Sequence, residues 1–103
     1  MTYYAVIRAP GAGWDPSRTM REQEAWDEHA VFMDGLVDED FVVAGGPLGD
    51  GARILLVVDA ASEEEIAERL EDDPWAPTRL LRTASIEQWH VLLGGIGPDH
   101  PGT

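Results

Sequence analysis

The chain has 103 residues, 44% of them hydrophobic, with twenty acidic and seven basic side chains, a formal charge of -13 and no cysteine. That length supports one domain around one modest core, and the missing cysteine excludes disulfides, a thiol nucleophile and thiolate metal sites. All seven basic residues are arginine and they are scattered, so no Schiff-base lysine or phosphate-binding patch is available, and the net field would repel a polyanion.

Thr2 to Arg8 is a short run of aromatic and β-branched residues closed by Pro10 and Gly11, which predicts a strand. Tyr3, Ala5 and Ile7 would point one way and Tyr4 and Val6 the other, so the strand is expected to be central and covered on both faces. Gly11 to Ser17 reads as a loop carrying Trp14. A helix is expected from Arg18 or Thr19 to Asp38, with Thr19 and Glu22 at capping-box spacing and Gly35 costing about 1 kcal/mol against alanine. After the acidic break Asp38 to Asp40, Phe41 to Ala44 predicts a second strand ending at Gly45, Gly46 and Pro47. These glycines suit a bulge, or the backbone wall of a ligand site.

Gly49 to Ala52 is a hairpin turn by its Asp50-Gly51 pair, and RILLVVD from Arg53 to Asp59 is a third strand, apolar on both faces. A second helix is expected over Ala60 to Asp72, opened by Ser62 and Glu65 and showing Ile66, Ala67 and Leu70 on one side. Pro74 disfavours helical geometry at Asp73, which is then placed to cap a tight turn through Trp75. Thr83 to Leu93 predicts the last strand, and Gly94 to Thr103 a disordered tail, leaving residues 1–93 as the domain.

The order βαββαβ has a simple closed solution, an α+β ferredoxin-like fold with a four-stranded antiparallel sheet and both helices on one face. The other face stays open although the first and third strands are apolar on both sides, which predicts a homodimer packed sheet to sheet. No run approaches the ~18 apolar residues of a membrane span, and MTYYAVIRAP lacks the build of a signal peptide, so a soluble cytoplasmic protein is expected.

Most chemical motifs are absent. The glycine pairs near residues 11 and 94 complete no dinucleotide fingerprint, there is no Walker sequence, and Ser17, Ser62 and Ser85 lack a nucleophile elbow. His29, His90 and His100 have no metal-ligand spacing, so neither a metal nor a cofactor is expected. What stands out is the stretch WDEHAVFMDGLV. Wound at about 3.6 residues per turn, it puts Trp26, Ala30, Met33 and Val37 on one side, with Phe32 and Leu36 beside them. His29 falls between these rows, a titratable ring on an inward stripe that must find partners for its two nitrogens. Asp73 is the best-placed acid. If it accepts one ring N–H it fixes the tautomer and leaves the other nitrogen to carry a substrate proton; a core histidine satisfied by a turn aspartate, without chemistry, fits the same residues.

Tyr3-Tyr4, Glu28-His29-Ala30, Gly45-Gly46-Pro47-Leu48 and Asp72-Asp73-Pro74-Trp75 occur in an order and spacing that resemble the YCII-related (YciI-like) family, from about Thr2 to Leu93. The resemblance implies a ferredoxin-like domain assembled as a dimeric α/β barrel, with an active site built from His29 and Asp73. It departs at Trp75, where the family commonly has phenylalanine or tyrosine. Relatives by fold and motif eliminate chloride or move a proton in chlorinated aromatic breakdown products. The expectation is therefore a small cofactor-free lyase or isomerase acting on a small cyclic organic molecule. His29 would serve as general acid/base and Asp73 as its orienting partner, with Trp26, Phe32, Met33, Gly46 and Trp75 as walls and Arg8 holding a substrate carboxylate. The alternative from another class is a non-catalytic dimeric module that holds a small ligand or docks a partner. No nucleic-acid or membrane partner is expected.

Overall fold

In the computed structural model, which describes residues 2–95, four strands and two helices follow the order βαββαβ. They are β1 Tyr3–Pro10, α1 Trp26–Asp38, β2 Val42–Leu48, β3 Arg53–Asp59, α2 Glu63–Glu71 and β4 Leu81–Trp89, with one 3-10 turn at Met20–Glu22 before α1. The strands lie in the order β2-β3-β1-β4, every pair antiparallel, so β1 and β3 are central as their two-sided apolar patterns require. This is the ferredoxin-like α+β fold.

Register decides which side chains meet. Tyr4 pairs with Val58 and Val6 with Leu56, and these four form one core with Leu36 of α1 and with Ile66 and Leu70 of α2. Both helices therefore cover the same sheet face. Val6, Val58 and Ile66 are fully buried, each worth about 1.5–3 kcal/mol against exposure. On the opposite face the register aligns Ala5 with Val57 and Ile7 with Leu55, while Tyr3 faces Trp89 on β4. No helix covers that side among the described residues.

Several element ends differ from the sequence reading. The first helix does not run from Thr19: its box of Thr19 and Glu22 closes only the 3-10 turn, and Ala25 takes a left-handed backbone (φ 61) before α1 starts at Trp26. The break is held by Gln23, nearly sealed from solvent, whose amide nitrogen donates to the carbonyls of Asp15, Arg18 and Thr19 and whose oxygen accepts from the Asp15 N–H. The second strand does not end at Ala44 but runs through Gly45, Gly46 and Pro47, tolerable because β2 is an edge strand. The last strand spans Leu81–Trp89, starting earlier to reach Pro10 and stopping opposite Tyr3, where β1 begins. In α2, Ser62 accepts from Glu65 N as its spacing predicts. The expected disordered tail lies, from residue 96 onward, outside the described residues, as does His100.

Gly11 and Gly13 tie the loop after β1 to the segment before β4. Their N–H groups donate to the carbonyls of Leu80 and Arg79. A Cβ at either glycine would collide with the backbone carbonyl of Arg79 or Thr78, so only glycine allows this approach. The loop is thereby anchored beside the end of α2, where Trp14 stands edge-on to Trp75 at 6.4 Å between ring centroids.

Candidate active site

The end of α2 and the first turns of α1 meet above the central strands. Asp72 and Asp73 leave the helix with N–H bonds to Arg69 and Leu70, and Pro74 then turns the chain. In that turn Asp73 accepts from the Trp75 N–H at 2.8 Å through its side chain and from the Ala76 N–H through its carbonyl, the tight turn expected from the Asp-Pro pair. A carboxylate held by backbone in this way has little freedom of aim.

It aims at His29. Nδ1 of the imidazole lies 2.9 and 2.8 Å from the two Asp73 oxygens, forty-four positions away in sequence, with His29 6% and Asp73 2% exposed. Because Asp73 also accepts from Trp75 N, the consistent assignment has Nδ1 as the donor and Nε2 as the free acceptor. Among the described residues the one buried side-chain nitrogen or oxygen without a partner is Arg8 Nε. Nε2 of His29 makes no hydrogen bond and is not among such sealed atoms.

Two cavities adjoin the imidazole. A groove of about 490 Å³ runs between α1 and the β2–β3 edge, walled by Trp26, Ala30, Met33 and Val37 on the helix side and by Gly45, Gly46, Pro47, Ile54 and Leu56 on the sheet side, with Arg21 at its rim. His29 stands in its wall. A deeper cavity of about 40 Å³ is lined by Arg8, His29 and Asp73 together with Met33, Ile54, Leu56, Leu70 and Leu81. His29, Met33, Ile54 and Leu56 belong to both. A third hollow, of about 180 Å³, sits under the Gly13–Ala25 loop against Thr78 and Leu80, and does not include His29.

The apolar row of α1 that reads as core in sequence is thus the groove wall. Val37 is 49% exposed, whereas the row through His29 and Leu36 is the one that packs down. Two expected wall residues sit elsewhere: Phe32 packs against the hydrophobic core, and Trp75 lines neither His29 cavity. Trp75, only 1% exposed, backs the imidazole instead, stacked at 3.8 Å between centroids and 4° from parallel. Its indole N–H donates to the Glu24 carbonyl at 2.7 Å, and Trp26 tilts against both rings at 5.8 Å. Trp26, Met33 and Gly46 line the groove, and Arg8 lines the deeper cavity and not the open one. Sequence reading missed Arg21 and the brace Gln23, neither of which sits in a motif or on an apolar stripe.

Arg8 is 7% exposed and donates from Nη1 to Thr83 Oγ1 at 3.2 Å. Burial pulls its guanidinium below the ordinary arginine value, and the negative charge of Asp73 pulls it back up. Among the described residues no three His, Cys, Asp or Glu side chains gather where they could hold a metal ion, and no helix is long and apolar enough to cross a membrane. His90 is exposed just beyond β4.

No model of a known protein family matches the chain. No curated protein matches it either. Among solved structures, the fold is similar to 5-chloro-2-hydroxyhydroquinone dehydrochlorinase from Burkholderia phenoliruptrix in complex with 2,5-dihydroxybenzoquinone, with a TM-score of 0.57 and 20% sequence identity, covering 88% of this chain and 95% of that one. At that identity the likeness is one of fold: the same ferredoxin-like arrangement carries, in that protein, an enzyme that binds a small cyclic ligand.

Proposed function

We propose that the protein is a small cofactor-free lyase or isomerase that moves a proton on a small cyclic organic substrate, working as a homodimer in the cytoplasm. The observation that carries this reading is the state of His29. One nitrogen is committed to a buried, backbone-held Asp73, the other makes no hydrogen bond, and the residue lines a largely apolar groove large enough for a single ring. In this reading Nε2 takes a proton from a substrate C–H and Asp73 stabilises the imidazolium that results. In an elimination the C–H electron pair becomes the new C=C bond and a halide departs with its bonding pair; in an isomerisation the same proton returns at another carbon. A positioned general base of this kind contributes about 10²–10⁴-fold.

Three further points support it. The motif order resembles the YCII-related family, the fold is shared with a dehydrochlorinase, and that neighbour binds a dihydroxybenzoquinone. The homodimer is supported by the sheet face opposite the helices, where Ile7 and Leu55 are only half-buried and Ala44 to Leu48 line a hollow of about 270 Å³.

The test is a panel of chlorinated hydroquinones, small unsaturated acids and lactones, followed for chloride release and for uptake of solvent deuterium, with wild type and His29→Asn side by side. Turnover in wild type that disappears in a folded His29→Asn supports the reading. A thermal shift with one of these compounds, retained in His29→Ala while neither protein turns anything over, would replace it with a ligand-holding module.

A further inference from the structure

Arg8 is the buried group that the proton transfer does not use. Its guanidinium offers five N–H donors, of which one nitrogen, Nη1, meets Thr83. Nε is sealed from solvent and bonds nothing, so that one donor is unspent inside the fold. A buried donor left without an acceptor is disfavoured, and such groups in native proteins mark a site for something not built from the chain.

The space beside it is specific in size and lining. The cavity of about 40 Å³ has room for two or three atoms and not for a ring. Apart from Arg8, His29 and Asp73 its lining is apolar, and through His29, Met33, Ile54 and Leu56 it adjoins the groove. A ring in the groove could therefore place one substituent in this cavity while His29 reaches a neighbouring C–H.

We propose that this cavity is an anion subsite, in which Arg8 receives one compact negative group of the substrate or product: a carboxylate, or the halide released by elimination. The proposal rests on His29 being the proton carrier. Charge balance favours it. Before reaction Arg8 is positive and Asp73 negative, and His29 must be neutral to act as the base. When a C–H proton moves to His29 and a halide leaves with its bonding pair, one positive and one negative charge appear together, and the halide lies between Arg8 and the new imidazolium. In a low-dielectric pocket, creating charges as a pair avoids the penalty of an isolated ion. A substrate carboxylate would instead enter as the charge partner of Arg8.

The experiment needs no turnover. Chloride, bromide and acetate are titrated at constant ionic strength into wild type, His29→Asn and Arg8→Lys, following the Arg8 Nε–H resonance and nearby amides by NMR; crystals of wild type are soaked in iodide to locate it by anomalous scattering. A saturable response in wild type and His29→Asn, about tenfold weaker in Arg8→Lys, with anion density in the cavity, supports the subsite. Response to halide alone assigns it to the leaving group, and response to acetate, with or without halide, to a carboxylate-bearing substrate. A non-saturating response, an equal response in Arg8→Lys, or iodide only at the surface would mean that the cavity holds water and would overturn the proposal. Anion binding without turnover of any substrate sinks the proton-transfer reading and leaves the subsite. Turnover without anion binding does the reverse.

Discussion

The imidazole of His29 lies flat on the indole of Trp75, the ring centroids 3.8 Å apart and the planes 4° from parallel, while Trp75 N–H bonds the Asp73 carboxylate that holds the same imidazole. One short turn therefore grips the ring twice, by its edge through Asp73 and by its face through Trp75. Phenylalanine at position 75 would keep a face for stacking but leave the Glu24 carbonyl without the indole donor. Trp75→Phe is expected to lose about 1–3 kcal/mol of stability and Trp75→Ala about 3–5 kcal/mol, read from chemical denaturation. Equal losses would mean that the ring face contributes nothing.

Asp73→Asn tests the carboxylate apart from its shape. An amide oxygen can still accept from Trp75 N or from His29, but the bond to Nδ1 is no longer charge-assisted and the other amide atom is a donor. The expected result is a loss of about 1–2 kcal/mol and a histidine ring no longer held in one tautomer. Nitrogen chemical shifts of His29 read the latter directly: wild type should show Nδ1 protonated, and the variant a mixture.

Gly35 lies inside α1 with no atom within 4 Å of where a Cβ would stand. Its φ is not positive, so alanine fits without strain. Gly35→Ala should stabilise the protein by about 0.5–1 kcal/mol, chiefly through the unfolded chain. A raised Tm with unchanged ligand response is the expected reading, and a lowered Tm would contradict the free space at this position.

Acid should loosen the loop ahead of α1 before the core. Asp15 accepts from the Ser17 hydroxyl and N–H, and Glu22 from the Thr19 N–H, and these bonds hold both carboxyls below their usual values. A depressed folded value means that the contribution is present above the ordinary carboxylate value, about 4, and is lost as pH falls through the lowered folded one. Both groups lie at the surface in the loop ahead of α1, so the effect is local. Protection of the Ser17 and Thr19 amides, measured against the intrinsic exchange rate at each pH, should fall below about pH 4 while Val6 and Val58 stay protected.

If two copies pack sheet to sheet, Leu55 is a central contact, since it sits opposite Ile7 on the uncovered face. Sedimentation at micromolar concentration should show a dimer for wild type and a monomer for Leu55→Glu with its secondary structure retained. A wild-type monomer would remove the dimer from the proposed function.

Period and punctuation settled what was local. The alternation in Tyr3 to Arg8 and in Arg53 to Asp59 placed both strands at the sheet centre, Ser62 marked the start of α2, and Asp73-Pro74 marked the turn that follows it. Those features depend on steric limits and hydrogen bonds within a few residues, which are written in neighbouring side chains. The pairing of His29 with Asp73 was legible as a suggestion because Pro74 fixes a turn at Asp73, just after the helix that covers the same sheet face as α1.

Tertiary structure decided what depends on residues distant in sequence. The row Trp26, Ala30, Met33 and Val37 carries the same periodicity whether it packs into a core or lines a groove, and the glycines of edge strand β2 leave it a groove. Helical periodicity could not show that Gln23 breaks the first helix, because its bonds go to loop carbonyls whose positions exist only once the chain is closed. Nor could composition show that Trp75 backs the imidazole rather than facing a ligand, or that Arg8, with one buried nitrogen left unpartnered, lines a cavity. Amphipathic pattern specifies that a face turns away from water, but what that face meets is set by the register of strands and helices brought together from the whole chain.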